Sequence, residues 1–289
     1  MRKRTVALLV LAAACSSSIR IAKVPHGKPA LRIGGEVKGG PFELGEQDLA
    51  TLPRRKVRGA DLATGREAVY EGADLAPSLA RLELEKGVDT LVARTADHRA
   101  IAIPLTMIHQ ARPVLADRID GSVAAELILA WPNAEQRGLA SDPREPAWWA
   151  QGVVELDLVN GFNVYGRALA VPDGSPEGAH VGADLTGARC LGCHRLRKAG
   201  GEKGPDLTRV AERVPLDGFR ALLARGHPGW ALPGLDPPGD AAARQVWLFL
   251  KAVAAEAETG PVEEVPPEPP RQKPRPPGTP APPGTPGGA

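Results

Sequence analysis

Sulfur is scarce in this chain. Its 289 residues hold three cysteines and two methionines. The cysteines stand at 15, 190 and 193, so there is one close pair and no second. A structural zinc centre usually needs four Cys/His ligands drawn from two such pairs, which this chain does not have. An excess of one charge is also missing. Lys and Arg number 36 against 34 Asp and Glu, for a net +2, and no basic stripe suggests nucleic acid. The Asp97-His98 pair has no G-x-S-x-G partner, so hydrolase chemistry is not supported. His98 and His109 fall in separate elements without metal-ligand spacing. The adjacent Trp148 and Trp149 read as one ring packed inward and one at the surface.

Proline and charge are placed unevenly. From Pro261 to Ala289, 12 of 29 residues are proline. Proline removes the amide donor and fixes φ, so 258–289 is expected to be an extended, disordered tail. At the other end, Arg2, Lys3 and Arg4 precede a short apolar run, Val6–Ala14. That run is too short to span a bilayer permanently and reads as an export signal. It closes on LAAAC followed by three serines, which resembles a bacterial lipoprotein signal, although Ala12 stands where leucine is usual. The resemblance implies a signal peptide at 1–14, a lipid on Cys15, a tether over 15–25, and a membrane anchor facing the periplasm or cell surface. Acyl chains insert at ~0.8 kcal/mol per buried methylene. The plainer reading is a cleaved secretory signal that leaves Cys15 spare.

The remaining pair stands in ARCLGCHR, residues 188–195. A redox dithiol is one reading of C-x-x-C, but such a pair normally follows a βαβ pattern and no strong strand run precedes Cys190. An inert disulfide is another. The immediate His194 favours a third, covalent c-type haem, for which C-x-x-C-H is the signature. Each thiol adds across one vinyl group, two intervening residues set the span, and the next residue points an imidazole at the iron. Export fits, because haem is attached outside the cytoplasm.

The surrounding residues, 178–257, resemble a class I cytochrome c domain. GADLTGARC (182–190) matches the family's N-terminal helix, and GPDL (204–207) follows at the usual distance. PLDGFRALLARG (215–226) and AARQVWLFLKAVAAEA (242–257) read as amphipathic helices. The resemblance implies covalent haem c on Cys190 and Cys193, His194 as iron ligand, and Pro205 accepting the His194 Nδ1 proton. Two positions depart from the family. Thr186 replaces an aromatic that packs on the last helix, which implies a weaker helix contact. Leu232 stands before Pro233 where the family places its methionine ligand. Three readings of the far side of the iron stay open: His227, an open face able to take NO or CO, or a ligand from elsewhere (His180, Met107 or His109). The first two imply a lower reduction potential than Met/His ligation.

Residues 26–170 offer strand candidates at 31–37, 66–70, 90–95, 100–105, 126–131 and 153–159, with short helices at 45–52 and 73–82. The order of IGGEVKGGPFELGEQDLATLP, VYEGADLAPSL, VARTADHRAIAIPL, AWPN and WWAQGVVELDL resembles the molybdopterin-binding domain of the sulfite-oxidase family. That family holds its metal through a cysteine just before the segment matched by VYEGADL. No cysteine lies between Val57 and Tyr70, and Asp61 or Thr64 cannot replace a soft thiolate without changing the site. The resemblance therefore implies the fold without bound molybdopterin.

The expected fold class is α+β: a mixed α/β sulfite-oxidase-like domain, a linker at 171–177, and a small all-α cytochrome c domain. The expected function is one-electron transfer to or from a membrane-associated redox protein, with no catalytic residues. The alternatives are a molybdopterin-dependent oxidoreductase with a built-in haem acceptor, and a haem-based small-gas binder.

Overall fold

The computed structural model describes residues 25–60, 66–142, 144–227 and 239–259. The signal at 1–14, Cys15, Asp61, Thr64, the Leu232-Pro233 dipeptide and the tail from 260 onward lie outside the described residues.

The chain opens with β1 (Pro29–Gly35), β2 (Phe42–Gly45), α1 (Glu46–Thr51), β3 (Arg54–Ala60), β4 (Glu67–Asp74) and α2 (Leu75–Leu79). Next come β5 (Thr90–Thr95), β6 (Ala100–Pro104), α3 (Leu105–Ala111), β7 (Val114–Ile119) and β8 (Ser122–Ala130). After α4 (Arg137–Ala140) and a 3-10 turn at Glu145–Trp148, β9 (Ala150–Gln151) and β10 (Val153–Val159) close this part. The strands build two five-stranded sheets, ordered β2-β1-β10-β5-β6 and β3-β4-β7-β8-β9. Among the described residues only β1 and β10 pair in parallel. Side chains alternate across a strand with period two. Leu156 and Leu158 of β10 accordingly enter the core with Leu31, Leu91, Ile103 and Leu129. Pro104 ends β6, and α3 begins at the next residue.

Helices dominate the rest: α5 (Gly178–Arg189), α6 (Val210–Arg213), α7 (Leu216–Ala224) and α8 (Asp240–Thr259). A two-residue hairpin, β11 (Arg195–Leu196) with β12 (Ala199–Gly200), sits between them. The chain is thus α+β, with its sheets first and its long helices last. The helices have their own core, built on Val246, Phe249, Leu250 and Val253 of α8. Tyr165, Leu169 and Val171 pack against that core. The expected boundary between domain and linker at 170/171 therefore falls within a segment packed on the helices.

Helix α5 buries a face of small residues, Ala179, Gly182, Ala183 and Thr186, at the i, i+3, i+4, i+7 spacing of one helical stripe. Thr186 is fully buried and its hydroxyl donates to the Gly182 carbonyl at 2.7 Å. A Cβ on Gly182 would lie 2.0 Å from the Gln245 carbonyl oxygen. Helices α5 and α8 therefore cross through a glycine rather than through an aromatic wedge. Gly182→Ala is expected to cost about 1–3 kcal/mol by overpacking, seen as a lower urea midpoint at unchanged slope.

The tryptophan pair divides between two environments. Trp148 is buried beside Trp131, ring centroids 5.2 Å apart, while the partly buried Trp149 meets Tyr70 edge-on at 5.4 Å. Between them lies Glu145, also buried. It accepts from Trp149 Nε1 at 2.5 Å and from Asn133 Nδ2 at 3.0 Å. Burial raises this carboxyl above the usual range, and the two hydrogen bonds only partly oppose it. An acid with a raised folded pKa adds stability that is complete below the unfolded value of about 4.3 and is lost as pH rises through the folded value. Glu145→Gln, neutral throughout, should flatten that part of the stability–pH curve in denaturant titrations.

Candidate functional site

Helix α5 ends on a turn that carries both thiols. The amides of Cys190 and Leu191 donate to the Thr186 carbonyl, and those of Cys193 and His194 donate to the Cys190 carbonyl at 3.1 and 2.8 Å. Cys190, Cys193 and His194 thus share one tight, helix-like turn. Neither cysteine is in a disulfide. Burial pushes the Cys190 thiol up to about 12, with Arg189 acting against the shift. Burial also raises Cys193, although Arg99 and Lys203 pull the other way. Redox dithiols depend on a depressed thiol pKa, so the pair is poorly suited to disulfide exchange.

His194 is buried and fixed at one nitrogen. Its Nδ1 lies 2.8 Å from the Pro205 carbonyl oxygen. A carbonyl can only accept, so this contact places the proton on Nδ1 and leaves Nε2 with a free lone pair. The ring rests against Gly204, where a Cβ would come 2.3 Å from the imidazole. Gly200 serves the same loop: its φ is +105°, and a Cβ there would meet the His194 carbonyl oxygen at 2.2 Å. Glycine is required at that position on both counts.

Nε2 of His194 faces Nε2 of His227 at 3.4 Å. The ring centroids are 5.4 Å apart and the planes differ by 25°. The nitrogens are closer than the centroids, so the rings meet tip to tip. His227 follows the end of α7, and burial, then His194, lowers its pKa. A neutral imidazole is the form that binds metal. Two imidazole–metal bonds of about 2 Å each require about 4 Å between the nitrogens, slightly more than the gap seen. The other ligand candidates lie elsewhere. Met107 packs against the sheet core, and His109 and His180 are exposed.

The two unpaired thiols, the oriented His194 and the facing His227 fit a covalently held haem. Among the described residues no group of three or more His, Cys, Asp and Glu side chains is placed to hold a bare metal ion. A porphyrin supplies four ligands itself and asks only one or two of the protein.

The sheets also reach this site, through residues the sequence did not single out. The turn between β5 and β6 leans on the cysteine loop. Ala100 N–H donates to the Gly192 carbonyl at 2.9 Å, and Glu202 N–H donates to the His98 carbonyl at 2.8 Å. Lys203 Nζ meets Asp97 Oδ2 at 2.8 Å. Burial works to raise the Asp97 carboxyl, but hydrogen bonds from Lys203, Thr95 and Arg99 outweigh it and hold the group well below the usual carboxylate range. No sequence signal marked these contacts, because most of them are made by the main chain.

No family model matches the chain, and no curated protein shows significant similarity to it. Among solved structures, the sulfane dehydrogenase SoxCD from Paracoccus pantotrophus is similar to part of it, at 18% identity and a TM-score of 0.37. The match covers 50% of this chain and 40% of that one, so this chain spans well under half of that structure. A likeness this weak fixes neither function nor detailed topology. Among the described residues, no helix is long and apolar enough to cross a membrane.

Proposed function

We infer that this chain is an exported one-electron carrier of the cytochrome c type, tethered to a membrane through Cys15. On this reading the helices from 178 onward form a small cytochrome domain behind a sulfite-oxidase-like domain that lacks its thiolate. The observation that carries the reading is the turn itself. Two unpaired thiols flank one helix-like turn, and the adjacent His194 has one nitrogen bound to Pro205 while the other faces His227.

A bound haem supplies an iron that cycles between two oxidation states. The protein's residues hold and tune it. Cys190 and Cys193 anchor the ring by thioethers. Pro205 keeps the His194 proton on Nδ1 and raises the basicity of Nε2, as hydrogen-bond partners of metal-bound histidines do. His227 offers a second imidazole where a methionine would raise the potential. The helical core built on Phe249 and Leu250 keeps the loop from rearranging between the two states. The partner is a membrane-associated redox protein, and the sheet domain serves as a docking or regulatory part.

The test is the visible spectrum of purified protein, oxidised and reduced, with its intact mass. A c-type spectrum and a mass of polypeptide plus one porphyrin are expected. A protein without covalent porphyrin, made with a working maturation system, overturns the reading. Stoichiometric molybdenum would move the chemistry into the sheets.

A further inference from the structure

The turn between β5 and β6 does more than touch its neighbour. It is bonded to the cysteine loop on both sides of its fold, at Gly192 just before Cys193, and at Glu202 and Lys203 just before Gly204 and Pro205. Between those points sits Gly201, whose amide donates to the Leu191 carbonyl at 2.8 Å. A Cβ on Gly201 would lie 2.5 Å from the Gly192 oxygen, 3.0 Å from the His98 oxygen and 3.1 Å from the Ala100 nitrogen. No side chain fits between the loop and the turn. The turn is itself held in an uncommon shape. His98 has φ +66°, outside the comfortable range for a residue with a Cβ. Asp97 accepts from the Thr95 hydroxyl at 2.5 Å and from Arg99 Nε at 3.1 Å. Strain of this kind persists where surrounding contacts impose it.

The path from this turn to the imidazole is short. Glu202 and Lys203 are tied to the turn, Gly204 N–H donates to the Cys193 carbonyl at 2.8 Å, and Pro205 accepts from His194. Loosening the turn frees the segment that positions the Pro205 carbonyl. A weaker bond at Nδ1 makes Nε2 a poorer donor, which disfavours the oxidised iron.

We propose that the β5–β6 turn is a positioning element for His194, so that the sheet domain sets the reduction potential of the haem. Asp97, His98 and Ala100 act through their bonds to Lys203, Glu202 and Gly192 of the loop. This inference rests on the haem reading above.

The decisive variants are Gly201→Ala and Lys203→Gln in the full chain. Gly201 has no positive φ requirement, so alanine there strains the junction itself, against the Gly192 oxygen that accepts from Ala100 and against His98 and Ala100 of the turn. The expected result is a higher midpoint potential in G201A, with faster amide exchange across residues 199–204 and unchanged far-UV circular dichroism. K203Q separates positioning from charge. Loss of a cation near the iron would by itself lower the potential, whereas release of the loop raises it. A rise in both variants supports the proposal. Unchanged or lower potentials in folded, haem-loaded variants overturn it. Amide exchange provides a readout that needs no iron, so unchanged exchange in G201A overturns it too. Failure of the haem reading is recognised separately, as a wild-type mass without porphyrin.

Discussion

Replacing His227 by alanine should, on the proposed haem reading, turn a closed iron into an open one. The reduced wild-type protein is expected to show little spectral change under CO, and His227→Ala an essentially complete shift. The argument is geometric. His227 is the imidazole whose Nε2 faces His194 Nε2, at 3.4 Å, and burial, then His194, lowers its pKa. His227→Met asks the reverse question. A thioether in place of the second imidazole should raise the midpoint potential toward Met/His values. If the wild type already binds CO fully, His227 is no firm ligand and the site is an open one.

Removing the thiols should have the larger consequence, complete loss of covalent attachment. Acid-denatured wild type is expected to retain its porphyrin on the polypeptide. Cys190→Ser and Cys193→Ser should each keep a single, weaker link. The double variant should release everything on extraction, which intact mass would show. A disulfide reading predicts something different: a wild-type mass lower by two hydrogens and no visible band. The raised pKa of both thiols already argues against redox exchange.

Much of the architecture could be read from periodicity, and the failures have physical causes. The segment 153–159 reads as a strand and forms β10 over the same residues, because Leu156 and Leu158 point inward between polar neighbours. Helix α8 follows from its buried Val246, Phe249, Leu250 and Val253. Strand β3 was missed. Its sequence, RRKVRGA, is mostly cationic, and only the pairing with β4 and ion pairs such as Arg54 with Asp117 at 2.7 Å make it a strand. Helix α3 was missed for a different reason. LTMIHQA is short and mixed, and it gains its place by burying Ile108 and Ala111. At the site, Cys190, Cys193 and His194 were legible because one turn brings neighbours in sequence together. His227 could be named as a candidate, but its approach to His194 depends on where α7 ends. The grip of the β5–β6 turn was invisible, since backbone bonds between residues some hundred positions apart leave little trace in side-chain pattern.

The half-buried thiols also bear on the order of assembly. A sulfhydryl whose pKa burial pushes up to about 12 is a reluctant nucleophile, because the thiolate is the reacting species. With α5 and the loop in place, the Cys190 thiol is a poorer nucleophile than a cysteine in an open chain. On the proposed haem reading, ligation would therefore favour a chain in which this region is still open.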